Sequence, residues 1–218
     1  MKKVIISLVV LVIVGIGLYQ IPIVRNIAFV VILNATEQTE LSVEGNCLYM
    51  DGLINSKTPE QFKKVFAENP NIDTLVMKTV EGSVNDEANL EAAEWVSKKK
   101  LVFVLESESL IASGGTDFFL AGEKRIIKKG AKVGVHSWAG DSQVATDFPK
   151  GGRVHQPYID YYMAVGWTKE KAEKFYYFTI EAAPADDIYW MTAKELKDYQ
   201  ITNVVEDDKS EGIVSYSL

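Results

Sequence analysis

The sequence SLIASGGTD occupies residues 109–117, and GVHSW follows it at residues 134–138. Ser113 stands where an apolar, strand-like run gives way to a helix-like run, and His136 ends the next strand-like run 23 residues later. A serine hydroxyl is a weak nucleophile until a neighbouring base takes its proton. Because His136 is one of only two histidines in the chain, this pair is a candidate for nucleophilic catalysis.

Strand-like and helix-like runs alternate on either side of this stretch. The run LVFVL at residues 101–105 is apolar throughout, which is typical of a parallel strand covered on both faces. Such alternation predicts an α/β fold with a mostly parallel sheet and right-handed crossovers. After residue 155 the pattern becomes mostly helical, and a last strand is expected at residues 201–205.

The N-terminus carries a long apolar run at residues 4–24, preceded by Lys2 and Lys3. Its 21 residues would span ~31 Å as a helix, about the thickness of the hydrocarbon core of a bilayer. Positive residues tend to stay on the cytoplasmic side, so the rest of the chain is expected outside the cytoplasm, periplasmic or extracellular. A cleaved signal peptide is the alternative. The predicted organisation is a membrane anchor with its juxtamembrane segment (1–35), a linker (36–45) and a catalytic domain (46–218).

Charge and composition exclude several classes of function. Residues 1–35 hold no acid, so the remainder carries a net charge of −10 against −7 for the whole chain. Such an acidic domain argues against a nucleic-acid partner, because phosphate binding needs a basic surface. Cys47 is the only cysteine, and no spacing of potential ligands indicates a metal site. We therefore expect neither a metal nor another cofactor.

An acyl-transfer site also needs an acid behind the base and two donors facing the developing oxyanion. Gly114 would lie at a helix N-terminus, and Gly82 would lie in the turn after the previous strand. Turns at the carboxyl ends of neighbouring parallel strands meet at one edge of a sheet. Asp186 and Asp187 are the late acids that could orient the histidine, although both could equally lie in a solvated loop.

Five short motifs resemble the proteolytic subunit of Clp protease and its relatives in the wider Clp/crotonase superfamily. They are DG at 51–52, EGSV at 81–84, ASGG at 112–115, VGVH at 133–136 and WMTAKEL at 190–196. The resemblance covers roughly residues 46–206. It implies a spiral of ββα units, peptide or protein substrates, and association into homo-oligomers. It also implies a nucleophile, a base, a triad acid and backbone oxyanion donors, which we assign to Ser113, His136, Asp187 (with Asp186 as second choice), Gly82 and Gly114.

Three departures from the family's pattern leave alternatives open. The acid aligns one residue out of register with the family's aspartate. Glu81 stands where the family usually has the first of two glycines. The ASGG motif also resembles the membrane-bound signal peptide peptidases, whose serine–lysine dyad would make Lys169 or Lys171 the base. His155 is a further candidate for the base.

The sequence therefore predicts a membrane-tethered, extracytoplasmic serine hydrolase that acts as a peptidase through a serine–histidine–aspartate triad. A catalytically silent scaffold or binding domain of the same fold is the alternative from a different class, and it would have a closed cleft. An acyl-CoA-handling relative is a third interpretation, which the extracytoplasmic location disfavours.

Overall fold

The computed structural model describes residues 31–36, 38–140 and 143–203. The strands are β1 (Thr39–Glu44), β2 (Cys47–Gly52), β3 (Thr74–Val80), β4 (Val102–Ala112), β5 (Lys124–Ile127), β6 (Lys132–Val135), β7 (Ala139–Gly140), β8 (Gln143–Val144) and β9 (Tyr189–Trp190). The α-helices are α1 (Thr58–Glu68), α2 (Asp86–Ser97), α3 (Gly114–Phe119), α4 (Gln156–Ala164), α5 (Lys169–Ala182) and α6 (Ala193–Asp198). Short 3₁₀ turns lie at Ala145–Asp147 and Arg153–His155.

One mixed sheet organises the described part of the chain, in the order β1-β2-β3-β4-β6-β9 with β5 also paired to β4. All pairs from β2 to β6 are parallel, and only the outer pairs of this sheet are antiparallel. The predicted α/β fold with a mostly parallel sheet is confirmed. Four of the five residues in the apolar run at 101–105 are buried, and Val102 is half-buried, in agreement with the prediction from its composition.

Strand β4 is long enough to pair with two different strands in succession. Its first half runs beside β5 and its last three residues run beside β6, with a register shift against β3 between the two halves. Ser109 bridges the shift, because its hydroxyl donates to the Met77 carbonyl at 2.6 Å and accepts from the Glu106 amide at 2.9 Å. The bulge thus directs the end of β4 towards β6, which sets Ser113 and His136 at the same edge.

The segment predicted as a linker, residues 36–45, contains the edge strand β1. Residues along this strand alternate between the two faces of the sheet. Leu41 and Val43 pack against the core, and the exposed positions are Glu40, Ser42 and Glu44. An edge strand covered on one face alternates in this way. The folded domain therefore begins earlier than the sequence predicted.

The strand predicted at residues 201–205 is absent from its described part, residues 201–203. There the chain runs beside β5 through side-chain bonds: the Arg125 guanidinium donates to the Ile201 carbonyl at 2.8 Å, and the Asn203 side chain accepts from the Arg125 amide at 2.6 Å. The Asn203 amide also donates to the Arg125 carbonyl at 3.3 Å, so side-chain and backbone bonds together join this segment to β5 in place of a regular ladder.

Among the residues that the structure describes, no helix is long and apolar enough to cross a membrane. The apolar run at 4–24, and with it the predicted anchor, lies outside the described residues.

Candidate active site

Ser113 lies in the tight turn between β4 and α3. Its backbone has φ +52° and ψ −127°, a conformation that non-glycine residues rarely adopt and that costs roughly 1–3 kcal/mol. The turn is fixed on both sides: the Ser113 amide donates to the Gly134 carbonyl of β6 at 3.1 Å, and its carbonyl accepts from the Thr116 amide at 2.8 Å. Strain held in place by a surrounding hydrogen-bond network is typical of functional positions.

Three glycines bring the end of β3 against this turn. A Cβ on Gly115 would lie 2.0 Å from the Val80 carbonyl oxygen, and one on Gly114 would lie 2.4 Å from the Ser83 hydroxyl. A Cβ on Gly82 would lie 3.8 Å from the Ser113 hydroxyl oxygen. The backbone at Gly82 therefore lies close to Ser113. The role of Gly82 and Gly114 as oxyanion donors stays a prediction.

His136 follows β6 and is half-buried. Burial lowers the pKa of its imidazole, and the backbone of Ala185 and Ser137 and the charge of Asp86 counteract this only in part. Its Nδ1 atom is buried and makes no hydrogen bond within the described part of the chain. A histidine with a lowered pKa is neutral at pH 7, which is the form that can accept a proton.

Ser113 and His136 line one small cavity with a volume of about 30 Å³. This is room for about one or two water molecules. The other lining residues are mostly acidic, aromatic or small: Asp86, Gly114, Asp117, Val135, Trp138, Tyr158, Tyr162, Tyr176, Thr179 and Ile180. The structure thus brings the predicted nucleophile and base together in a nearly filled site.

The carboxylates in this cavity belong to Asp86 and Asp117, and each accepts a hydrogen bond from a tyrosine. The Tyr158 hydroxyl donates to Asp86 at 2.5 Å, and the Tyr162 hydroxyl donates to Asp117 at 2.5 Å. The Ser83 hydroxyl also donates to Asp86. Burial raises the pKa of Asp117 to about 7, against the effect of the Tyr162 hydrogen bond and with a smaller contribution from Asp86.

The predicted triad acids lie elsewhere. Asp186 and Asp187 are exposed on the loop after α5 and do not line the cavity. The Asp187 carboxylate accepts from the amide of its own neighbour, Ile188, at 2.8 Å. The loop does begin beside the base, because the Ser137 amide donates to the Ala183 carbonyl at 2.9 Å. A triad role for Asp187 stays a prediction.

The alternative lysine bases also lie outside the cavity. Lys171 sits 3.6 Å from the centre of the Trp167 ring and donates to Gln200 at 2.8 Å. Burial lowers its pKa to about 8. Lys169 is exposed and pairs with Glu173 at 3.7 Å. The structure therefore does not bring either lysine to Ser113.

His155 is fully buried behind the cavity wall. Its Nδ1 lies 2.8 Å from the Tyr176 hydroxyl, which also accepts from the Trp138 indole at 2.9 Å. His155 thus reaches the cavity only through Tyr176, and its Nε2 is buried with no hydrogen-bond partner within the described ranges.

Sequence reasoning missed Asp86 and Asp117, although the signals were present. Asp86 lies in the first turn of α2, directly after the turn that follows β3, so it belongs to the same edge of the sheet as Ser113. Asp117 follows Ser113 by one helical turn. Within the described ranges, no group of three or more histidine, cysteine or acidic residues could hold a metal ion.

No family model and no curated protein match the chain. Solved structures do match. The 1510-N membrane-bound stomatin-specific protease, in complex with a substrate peptide, is 19% identical over 74% of this chain and 74% of that chain, with a TM-score of 0.48.

Enoyl-CoA hydratases are also similar. The enzyme from Shewanella pealeana is 11% identical over 82% of this chain and 72% of that chain, with a TM-score of 0.48. The enzyme from Bacillus anthracis is 13% identical over 76% and 69%, with a TM-score of 0.45. All three structures are less than 20% identical to this chain and have TM-scores below 0.5. The activity of this chain is therefore argued from its own cavity residues.

Proposed function

We propose that the protein is a serine hydrolase acting on peptides, with Ser113 as nucleophile and His136 as general base. The observation that carries the proposal is the strained turn at Ser113, which lines one cavity with a histidine whose pKa is lowered by burial. The choice of a peptide rests on the sequence resemblance to Clp protease. No cofactor is needed for this chemistry.

In the proposed reaction His136 takes the proton of Ser113 as its hydroxyl oxygen attacks the carbonyl carbon of the scissile bond. The backbone amides at Gly82 and Gly114 stabilise the oxyanion of the tetrahedral intermediate. His136 then gives the proton to the leaving amine, the C–N bond breaks, and an acyl group stays on Ser113. Water, deprotonated by the same histidine, then attacks the acyl carbon. The bond from that carbon to the Ser113 oxygen breaks, the histidine returns the proton to this oxygen, and the acid product leaves.

The third member of the site is proposed to be Asp86. Asp187 was the acid expected from the sequence, but Asp86 lines the cavity and its negative charge acts on His136. A nearby negative charge favours the imidazolium that forms during attack. Asp86 is held in position by Tyr158 and Ser83, so it acts through charge without a direct hydrogen bond to the histidine in this state.

The location is proposed from the sequence. The apolar run at 4–24 and the basic residues before it support a membrane tether with an extracytoplasmic catalytic domain. A cysteine introduced at the exposed position Glu44, in a Cys47→Ser background, tests this orientation. In intact cells it should react with a membrane-impermeant maleimide, and protection until lysis would contradict the proposal.

Labelling with a fluorophosphonate probe tests the chemistry directly. The full-length chain in detergent should be labelled, and both Ser113→Ala and His136→Ala should abolish labelling. Ser107→Ala is the matched control, because Ser107 is an exposed serine outside the cavity. Labelling that survives His136→Ala but not Ser113→Ala would assign the base to another residue.

The silent scaffold is the second candidate, and the size of the cavity favours it. About 30 Å³ lined by three tyrosines leaves little room for a scissile bond without movement of a side chain. Absence of labelling in a chain that unfolds cooperatively would support this candidate over the hydrolase.

A further inference from the structure

A second, larger cavity lies on the surface between helices α2 and α4. Its volume is about 850 Å³, within the range of cavities that bind ligands. Each helix contributes positions spaced as one helical face: Glu87, Leu90, Glu91 and Glu94 from α2, and Pro157, Asp160, Tyr161 and Ala164 from α4. We call this cavity the α2–α4 groove.

The α2–α4 groove adjoins the Ser113 cavity. Asp86, Trp138 and Tyr158 line both. A chain lying in the groove would therefore pass directly beside the residues that enclose the proposed nucleophile. The shared wall residues place the groove next to the proposed nucleophile, where a bound substrate chain could reach it.

The lining of the groove combines apolar residues with charged residues of a single sign. Its apolar part includes Leu90, Val154 and Tyr161. Its charged lining residues are all acidic, with no lysine or arginine among them. Lys63 and Lys98 reach two of the acids from outside, at 3.4 Å from Glu91 and 3.0 Å from Glu94. These pairs are exposed and weak, so the groove keeps its acidic character.

We propose that the α2–α4 groove binds a segment of the peptide substrate in which lysine or arginine residues alternate with apolar ones. This inference rests on the proposed function and names its substrate class. Charge complementarity argues for this occupant. A cationic side chain would be attracted to the acidic residues of the groove, while an apolar neighbour would pack on its apolar residues. A second copy of this chain, with its net charge of −7, is disfavoured by the same charge.

The test measures binding without turnover. The full-length Ser113→Ala chain in an uncharged detergent is titrated against a fluorescent hexapeptide of alternating lysine and leucine, and against one with glutamate in place of lysine, by fluorescence anisotropy. The cationic peptide should bind at least about tenfold more tightly, and the preference should shrink as salt is raised.

Substitution of three groove acids provides the structural control. The triple variant Glu87→Gln, Glu91→Gln, Asp160→Asn should bind the cationic peptide about tenfold more weakly, since exposed ion pairs each contribute a modest amount. The matched variant Glu40→Gln, Glu44→Gln, on the distant edge strand β1, should bind it as the parent does. Thermal unfolding of both variants reports whether the fold is kept.

Failure of this inference is distinguishable from failure of the proposed function. The groove assignment alone would be overturned if the wild-type chain reacts with the fluorophosphonate probe but the Ser113→Ala chain does not prefer the cationic peptide. It would also be overturned if the triple variant keeps the same preference. If the wild-type chain does not react with the fluorophosphonate probe but the cationic peptide is still preferred, the groove assignment is supported and the hydrolase proposal fails. Loss of self-association in the triple variant without any peptide preference would assign the groove to a second copy and overturn the inference.

Discussion

The turn between β4 and α3 and the loop after α5 both carry residues that the sequence singled out for catalysis, but they are built differently. Ser113 is fixed by backbone hydrogen bonds from β6 and α3, at a glycine-mediated contact with β3. Asp187 is exposed, and its carboxylate bonds only the adjacent amide within the described part of the chain. One position is determined by the sheet and the other by a solvated loop.

A residue can be placed in a site from sequence when the geometry of the backbone fixes its position. A serine between a strand and two glycines has its place dictated by backbone sterics, and so does a histidine at the end of the adjacent strand. An acid on a loop, or a lysine on a polar helix face, has many solvated positions of similar energy. Substitutions at the turn and in the cavity should therefore change stability or labelling more than substitutions on the loop or the polar helix face.

The largest effect is expected from Gly115→Ala. The new Cβ would lie 2.0 Å from the Val80 carbonyl oxygen, so β3 and α3 would have to separate. We expect a loss of about 3 kcal/mol or more in the free energy of unfolding, measured by urea denaturation. Gly140→Ala is the control, because nothing lies within 4 Å of its Cβ position. Equal stability of the two variants would contradict the close contact between strand and helix.

Much of the fold was predictable because it follows from local pattern. The apolar run at 101–105 and the alternation of strand-like and helix-like runs indicated the parallel sheet, and the pattern after residue 155 indicated the helices α4 and α5. The edge strand β1 was missed because its inward face has only Leu41 and Val43 among the apolar types. The strand expected at 201–205 was wrong over residues 201–203, because the Asn203 side chain accepts from the Arg125 amide and interrupts a regular ladder.

The candidate site was predictable only as far as backbone geometry reaches. Ser113, His136, Gly82 and Gly114 converge because they end or follow neighbouring parallel strands. The acids of the cavity could not be ranked from sequence, since that ranking depends on which carboxylates are enclosed by tyrosines from α4. Long-range packing of this kind leaves no periodic signal in the chain.

The second prediction compares one cavity acid with one loop acid. Asp86→Asn should slow fluorophosphonate labelling about tenfold, because it removes the charge that favours the imidazolium of His136. Asp187→Asn should change the labelling rate less than about twofold, because its carboxylate is exposed and outside the cavity. The reverse order would restore Asp187 as the triad acid.

The third prediction concerns the pH dependence of stability. The folded state holds a proton on Asp117 up to about pH 7, whereas the unfolded chain releases it near the ordinary value of 3.8. The free energy of unfolding should therefore fall as pH rises through this window and level off above it. Asp117→Asn has no such proton to lose, so its Tm relative to the parent should increase from pH 4 to pH 8.

Asp186→Asn is the matched control for that measurement. Its carboxylate is exposed on the loop, so the variant should follow the pH dependence of the parent. A parent whose Tm difference from Asp117→Asn stays constant between pH 4 and pH 8 would show that Asp117 titrates alike in the folded and unfolded states.

The smallest effect is expected from Lys171→Met, which tests the lysine alternative. Lys171 packs on Trp167 and bonds Gln200, away from Ser113. Its removal should leave the labelling rate within about twofold of the parent's rate, and Lys169→Met should behave alike.

The pH profile of labelling distinguishes the two candidate bases, because burial lowers the pKa of His136 below 6.5 while Lys171 has a pKa of about 8. A midpoint below pH 6.5 in the parent and in both variants would identify His136 as the base. A midpoint near pH 8 that Lys171→Met abolishes would identify Lys171 as the base instead.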